Sequence, residues 1–308
     1  MFRRYQIRKR PGKPYAFQMR EKADPIAEWP TFCLFVACYA LWLATLFWVT
    51  SVPLAIALSA VLIAFQASLQ HEAIHGHPFQ AAWANTALAW PPLTLFVPYL
   101  RFRDTHIDHH SNCDLTDPFD DPETNYCSAE FWQNRSVLCR AILSFNNTLA
   151  GRLLVGPAIG TVFFFITEMQ NPKALRGWLW HIPAATAVLA VVMISPLPVW
   201  AYLIACYAAM ALLRIRTFAE HQAHVLARGR SVIIEDRGPL ALLFLNNNLH
   251  AVHHAHPKVP WYRLPALYRR QKTRFQRMNN GYVFPTYADV FRRYLFRRKD
   301  PVVHPLKG

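Results

Sequence analysis

Eight histidines stand in three tight clusters: His71 and His75 in HEAIH, His106, His109 and His110 in HIDHH, and His250, His253 and His254 in HAVHH. On a helix, residues three and four apart share a face, so each cluster presents its imidazoles in one direction. Neutral imidazole is the commonest protein ligand for metals of the iron, copper, nickel and zinc range. Eight such ligands are too many for one ion and about right for two. A lone HxxxH on a helix is common in proteins that bind nothing, but HxxHH is rarer, and two copies so far apart in one chain are hard to assign to chance. Adjacent histidines in apolar surroundings are also costly unless something compensates their polar nitrogens. The residues therefore point to a shared metal centre.

Something must bring the clusters together, and the apolar blocks of the chain indicate what. Of its 308 residues 53% are hydrophobic and 14% aromatic, above the usual soluble range. The excess sits in stretches. Residues 30–50 and 52–70 are each about as long as the roughly 20 residues that cross a bilayer. With only a short turn at Ser51-Val52-Pro53 between them, they read as a helical hairpin that runs straight into HEAIH. Residues 178–213, broken by Ser195-Pro196-Leu197-Pro198, read as a second hairpin that ends just before Glu220-His221-Gln222-Ala223-His224. Residues 81–100 contain Pro91, Pro92 and Pro98, which oppose a straight spanning helix. Residues 153–169 are apolar enough to span, but ligands of one centre must lie on one side of the membrane. A fifth crossing would put HAVHH opposite the other two clusters, so this stretch reads as interfacial or re-entrant. The expected fold is all-α and integral to the membrane: four transmembrane helices in two hairpins, with a cytosolic helical cap carrying the histidines. The division is a basic cytosolic arm (1–29), a membrane domain (30–267) and a basic C-terminal tail (268–308).

Charge supports this orientation. Arg3, Arg4, Arg8, Lys9, Arg10 and Lys13 precede the first span, while the two outer turns carry no charge. The positive-inside rule then places both termini and every cluster in the cytoplasm. Nothing in the first 20 residues reads as a secretory signal. The net charge of +15 gathers in the arm and after Arg263, where Arg269-Arg270, Arg292-Arg293 and Arg297-Arg298-Lys299 interleave with aromatics. In a membrane protein such a face suits anionic headgroups or an acidic electron carrier better than nucleic acid.

Other chemistries find little support. The six cysteines form no CxxC, so no rubredoxin-type iron site or zinc ribbon is encoded. With 10 glycines and no GxGxxG, nicotinamide or flavin binding by this chain is not expected. Transport sites usually need ionisable groups within the spans, whereas these histidines lie at helix ends and beyond. Ligand type alone remains compatible with two iron ions that activate dioxygen, and also with zinc or copper.

The order HxxxH, HxxHH, HxxHH, with the first pair after one spanning hairpin and the last after a second, resembles the membrane-bound fatty acid desaturase and hydroxylase superfamily. The resemblance covers roughly residues 30–267. HEAIHGHP, the acidic run DPFDDPE and HHAHPKVPWYRLP add to it, and HEAIHGHP is also similar to a bacterial branch of hydrocarbon oxygenases. It implies a non-haem centre of two iron ions, dioxygen as oxidant and electrons from a separate carrier. His71, His75, His106, His109, His110, His250, His253 and His254 would then be iron ligands. His221 occupies the place of the further ligand that family members use after the last span, with His224 as runner-up. Thr217 stands where some members carry an asparagine, and Asn246, four residues before His250, is the alternative near the site. A ligating imidazole usually donates its other N–H to a carboxylate or carbonyl; Glu72, Asp108, Asp114, Asp117 and Glu220 are close enough in sequence to serve. Asp117, Asp120 and Asp121 flank Pro118 and equally read as a turn. His77 follows the first cluster as a surface or supporting residue, while His181 and His304 read as ordinary residues. The resemblance implies desaturation of a fatty acyl chain or acyl lipid. Its alternatives are hydroxylation of an acyl chain, alkane, polar lipid or carotenoid, and, in a different class, a non-redox membrane metal-binding or transport protein. No electron-carrier domain is recognisable, so ferredoxin, rubredoxin or cytochrome b5 is the expected partner.

Overall fold

The structure, a computed structural model, describes residues 27–111, 114–172 and 174–307. The basic arm lies outside these residues except for its last three. Four of the described helices are long and apolar enough to cross a membrane: Trp29–Trp48, Val52–Ile74, Ala174–Ile194 and Val199–Ala219. They form the two expected hairpins. Proline opens the first two within the first turn, where a missing N–H costs nothing. Large apolar side chains such as Leu41, Leu54, Val61, Ile182 and Leu203 are exposed on their outer faces, as lipid contact requires.

The second and fourth spans pack along each other through small residues. Ala201, Ala205 and Ala209 recur every four residues on the fourth span and are fully buried, facing a cluster that includes Ala60, Ile63 and Ala64 of the second. Without a hydrophobic drive between helices in lipid, close approach through small residues supplies the packing. This contact places the end of the second span, with His71 and His75, beside the end of the fourth, with His221.

The proline-rich stretch does not span. After a short helix, Ala82–Ala89, the chain dips into the bundle as irregular backbone. Its carbonyls would be orphaned in lipid, which tolerates no unpaired backbone. Side chains from all four spans satisfy them: Tyr39 donates to Leu88 O, Gln70 to Ala89 O, Gln66 to Pro91 O, Tyr202 to Leu93 O, and His181 Nε2 lies 2.9 Å from Leu95 O. This is the ordinary role expected of His181.

The stretch 153–169 becomes the end of one short helix, Leu149–Leu154, and a second, Gly156–Met169. Fourteen residues reach about 21 Å, less than a bilayer core, so this helix makes no fifth crossing. Val162, Phe163, Phe165 and Ile166 are exposed on it. Its Glu168 forms a bidentate, buried ion pair with Arg101, Nε to Oε2 at 2.7 Å and Nη2 to Oε1 at 3.0 Å, and also accepts from the Trp178 indole at 3.2 Å. Arg101 lies in the first turn of the helix Tyr99–Ser111, which carries the second histidine cluster. Three elements therefore converge on one carboxylate.

The cap is built from the remaining helices and a two-stranded parallel pairing of Ile233–Ile234 with Val283–Phe284. The stretch from 268 onward does not hang free as a tail. Phe275, Phe284, Tyr287 and Val290 are buried in the cap, against the strand Ile233–Ile234 and the helix His250–Ala255. The reason is legible afterwards: among its arginines this stretch carries spaced apolar residues, including Phe275, Phe284, Tyr287 and Val290. Glu168→Ala should leave Arg101 buried without its counter-charge and cost about 3–5 kcal/mol, read as a lowered thermal unfolding temperature of the detergent-solubilised protein.

Candidate metal centre

Nine histidines converge at one end of the four long helices, in two groups. His71, His75, His106, His110 and His253 form one; His109, His221, His250 and His254 form the other. Within each group the ligand atoms lie within 4.8 Å of one another. The two groups cut across the sequence clusters. Pairs four apart stay together, His71 with His75, His106 with His110, and His250 with His254. The residue three along from the first of each HxxHH, His109 or His253, turns to the opposite group. On a helix of 3.6 residues per turn, i+3 and i+4 flank the axis of residue i on opposite sides. One HxxHH thus serves two sites. The His110 and His254 rings stack at 4.2 Å where the groups meet.

The nitrogens face each other closely. Nε2 to Nε2 separations are 3.1 Å for His75–His106, 3.2 Å for His110–His253, and 3.0 Å for His109–His221, His221–His250 and His250–His254. The other ring nitrogens are braced. His106 Nδ1 is 2.8 Å from Glu123 Oε1, and His109 Nδ1 is 2.8 Å from Asp121 Oδ1. His250 Nδ1 stands 3.1 Å from Asn247 Oδ1 and 3.6 Å from Glu220 Oε1, and His221 Nδ1 is 3.3 Å from Ser231 Oγ. An ionised carboxylate can only accept, so His106 and His109 each carry a proton on Nδ1 and turn Nε2 toward their neighbours. Two lone pairs at such distances repel unless a proton or cation lies between them. His71 Nε2 is buried with no hydrogen-bond partner. An all-imidazole donor set with carboxylate bracing fits divalent metals of the first transition row.

Electrostatics leaves the imidazoles ready to donate. Burial, reinforced by neighbouring rings, holds His110, His250, His253 and His254 below the ordinary imidazole range, and brings His221 down to about 3. His109 is the exception. Burial works against its charge, yet Glu123 and Asp121 outweigh it and raise the ring to about 9. A metal at that group would take the place of the extra proton. Burial would raise the Glu123 carboxyl, but His106 and His109 hold it below the carboxylate range.

Placement differs among the residues expected to support the ligands. Glu72 sits between the first and third clusters, its Oε2 accepting from Trp261 N–H at 3.0 Å and its Oε1 3.9 Å from His71 Nδ1. Glu220 pairs with Arg216 at 2.9 Å beside His250. Asp108 is exposed, because a residue two along from His106 points to the other side of the helix. Asn246 donates to Trp261 O instead of reaching His250. A four-residue offset presumes helix, but the helix begins at His250, and Leu245 and Asn246 have positive φ of 49° and 57°. The turn presents Asn247 instead. His224 faces away, its Nε2 3.1 Å from Asn280 Nδ2. His77 pairs with Glu28 at 3.0 Å and belongs to neither group. Asp114 and Asp117 pair with Lys307. The braces not singled out in advance are Glu123, Asn247 and Ser231. Asp121, read as a turn residue, is both: it accepts from Thr116 N–H and Glu123 N–H while holding His109. The run DPFDDPE was the available signal.

An apolar four-span bundle carries at one end two histidine groups, each of which could hold a metal ion. The family model for fatty acid desaturases matches residues 46–286, and the chain belongs to that family. Membership makes it, in general terms, an oxidase of the membrane desaturase and hydroxylase type. The match takes in all nine histidines and runs on into the cap. No curated protein matches the chain. Asp121→Ala should lower metal affinity about 10–100-fold in competition with a chelator, while Asp108→Ala should leave it unchanged.

Proposed function

We propose that this chain is a dioxygen-dependent oxidase that holds two iron ions and desaturates a fatty acyl chain or an acyl lipid. The observation that carries the reading is the convergence of nine imidazoles, in groups of five and four, at the end of an apolar bundle. Two iron ions there would supply the activation of dioxygen and the removal of hydrogen from an unactivated C–H bond, which side chains alone cannot perform. The chain's own part is to bind and orient. His71, His75, His106, His110 and His253 would hold one ion, and His109, His221, His250 and His254 the other. Glu123, Asp121 and Asn247 keep the proton of His106, His109 and His250 on Nδ1 and so keep each Nε2 free to donate. Glu72 and Glu220 tie the clusters to the loop after His254 and to Arg216.

The lipid surroundings of the spans bring an acyl chain to the same end of the bundle. Hydroxylation of an acyl chain, alkane, polar lipid or carotenoid differs only in how the substrate carbon sits relative to the metal. Electrons would come from a separate carrier such as ferredoxin, rubredoxin or cytochrome b5. The uncharged outer turns and the basic cap support an orientation with the histidines in the cytoplasm, in a bacterial inner membrane.

The test is a mass-spectrometric lipid profile of cells expressing wild type or His109→Ala. The expected result is a lipid lighter by two hydrogens, present with wild type and absent from the variant. A product heavier by one oxygen would replace desaturation by hydroxylation. An unchanged wild-type profile together with a metal-free purified protein would overturn the reading.

A further inference from the structure

Eight of the nine histidines lie on helices or at a helix end; His221 alone follows the fourth span in irregular backbone. Its main chain makes an isolated antiparallel bridge with Ser231. A second anchor comes from the other end of the chain. Lys299 Nζ donates to the carbonyl of His221 at 2.8 Å and to Tyr282 Oη at 3.4 Å, and pairs with the Asp300 carboxylate. The lysine side chain is only 7% exposed. A buried ammonium is costly unless paired and hydrogen-bonded, and here one of its bonds goes to the backbone of a site histidine.

The residues that follow extend the contact. Asn147 Nδ2 donates to Asp300 O at 2.6 Å. Cys127 N–H donates to Val302 O at 2.9 Å and His304 N–H to Cys127 O at 3.0 Å. The buried His304 places Nε2 3.2 Å from Thr116 Oγ1, and Thr116 N–H donates to Asp121 Oδ2 at 2.7 Å. Asp121 in turn holds His109 Nδ1 at 2.8 Å. Lys307 closes the strap on Asp117 and Asp114. His221 and His109 belong to the same group of four.

We propose that residues 299–307 form a positioning strap for that group, acting on His221 through Lys299 and on His109 through His304, Thr116 and Asp121. The inference rests on the reading of the two groups as iron sites. Lys299 and His304 touch no metal in this arrangement; they fix the residues that do. Reciprocity follows, since whatever the strap contributes to metal binding, the metal contributes to holding the strap.

The test uses the full-length protein, purified in detergent and loaded with iron, with metal content and Mössbauer spectra as readouts. Lys299→Met should weaken iron at the group of four about 10–100-fold. One spectral component is then lost, bound iron falls from two ions per chain toward one, and Lys299→Arg restores it. Two ions with an unchanged spectrum in Lys299→Met would overturn the strap. A wild-type protein that takes up no iron would instead overturn the metal-centre reading, and this inference with it. Should Lys299→Met not fold, amide exchange on wild type decides. Chelation should expose residues 221–223 and 299–304 together, and loosening of the first without the second would overturn the proposal.

Discussion

Imidazole nitrogens aimed at one another across about 3 Å, away from bulk water, repel unless a proton or a cation lies between each facing pair. A proton between two rings satisfies one pair, but His221 and His250 each face two neighbouring Nε2 atoms, and carboxylates claim the Nδ1 hydrogens of His106 and His109. A cation at each group resolves the conflict for several nitrogens at once. The surrounding structure exists to impose this geometry and to keep it from relaxing, because a relaxed arrangement in which each ring finds its own partner would abolish the site.

Three devices impose it. The alanine stripe on the fourth span lets it approach the second closely enough that two chain segments, over a hundred residues apart, end side by side. The Arg101–Glu168 pair fixes the depth and rotation of the helix that carries His106, His109 and His110, and rotation matters because that helix feeds both groups. Carboxylates from a loop, not from the histidine helices, then set the tautomers. The loop residues are held in turn by their own backbone N–H groups, so the order runs from turn chemistry, through a carboxylate, to an imidazole.

Much of this was legible in the sequence. Two apolar hairpins, the refusal of 153–169 to cross, the failure of a proline-rich stretch to span and the gathering of the histidines all follow from length, periodicity and parity. The family match supports the resemblance read from the three clusters. What was not legible depends on local backbone reversals and on distance in sequence. Asn246 is displaced by Asn247 because the turn before His250 takes positive φ. Asp121 looked like a turn residue because it is one, and its second oxygen-borne role appears only when the loop folds back on the helix. Glu123 is seventeen residues from His106, beyond any helical rule. The stretch from 268 looked like a basic tail because charge dominates its composition, while its buried aromatics are spaced singly.

The irregular stretch inside the bundle carries a consequence for how the protein is made. Its carbonyls are satisfied by Tyr39, Gln66 and Gln70 from the first hairpin, and by His181 and Tyr202 from the second. During synthesis the first hairpin emerges alone, and two of these five donors do not yet exist. The stretch cannot settle at depth until the second hairpin has been inserted, since unpaired backbone in hydrocarbon costs several kcal/mol per group. Biogenesis is thereby ordered. The histidines of the first two clusters wait at the membrane surface for the rest of the chain, and the completed centre is among the last features to form.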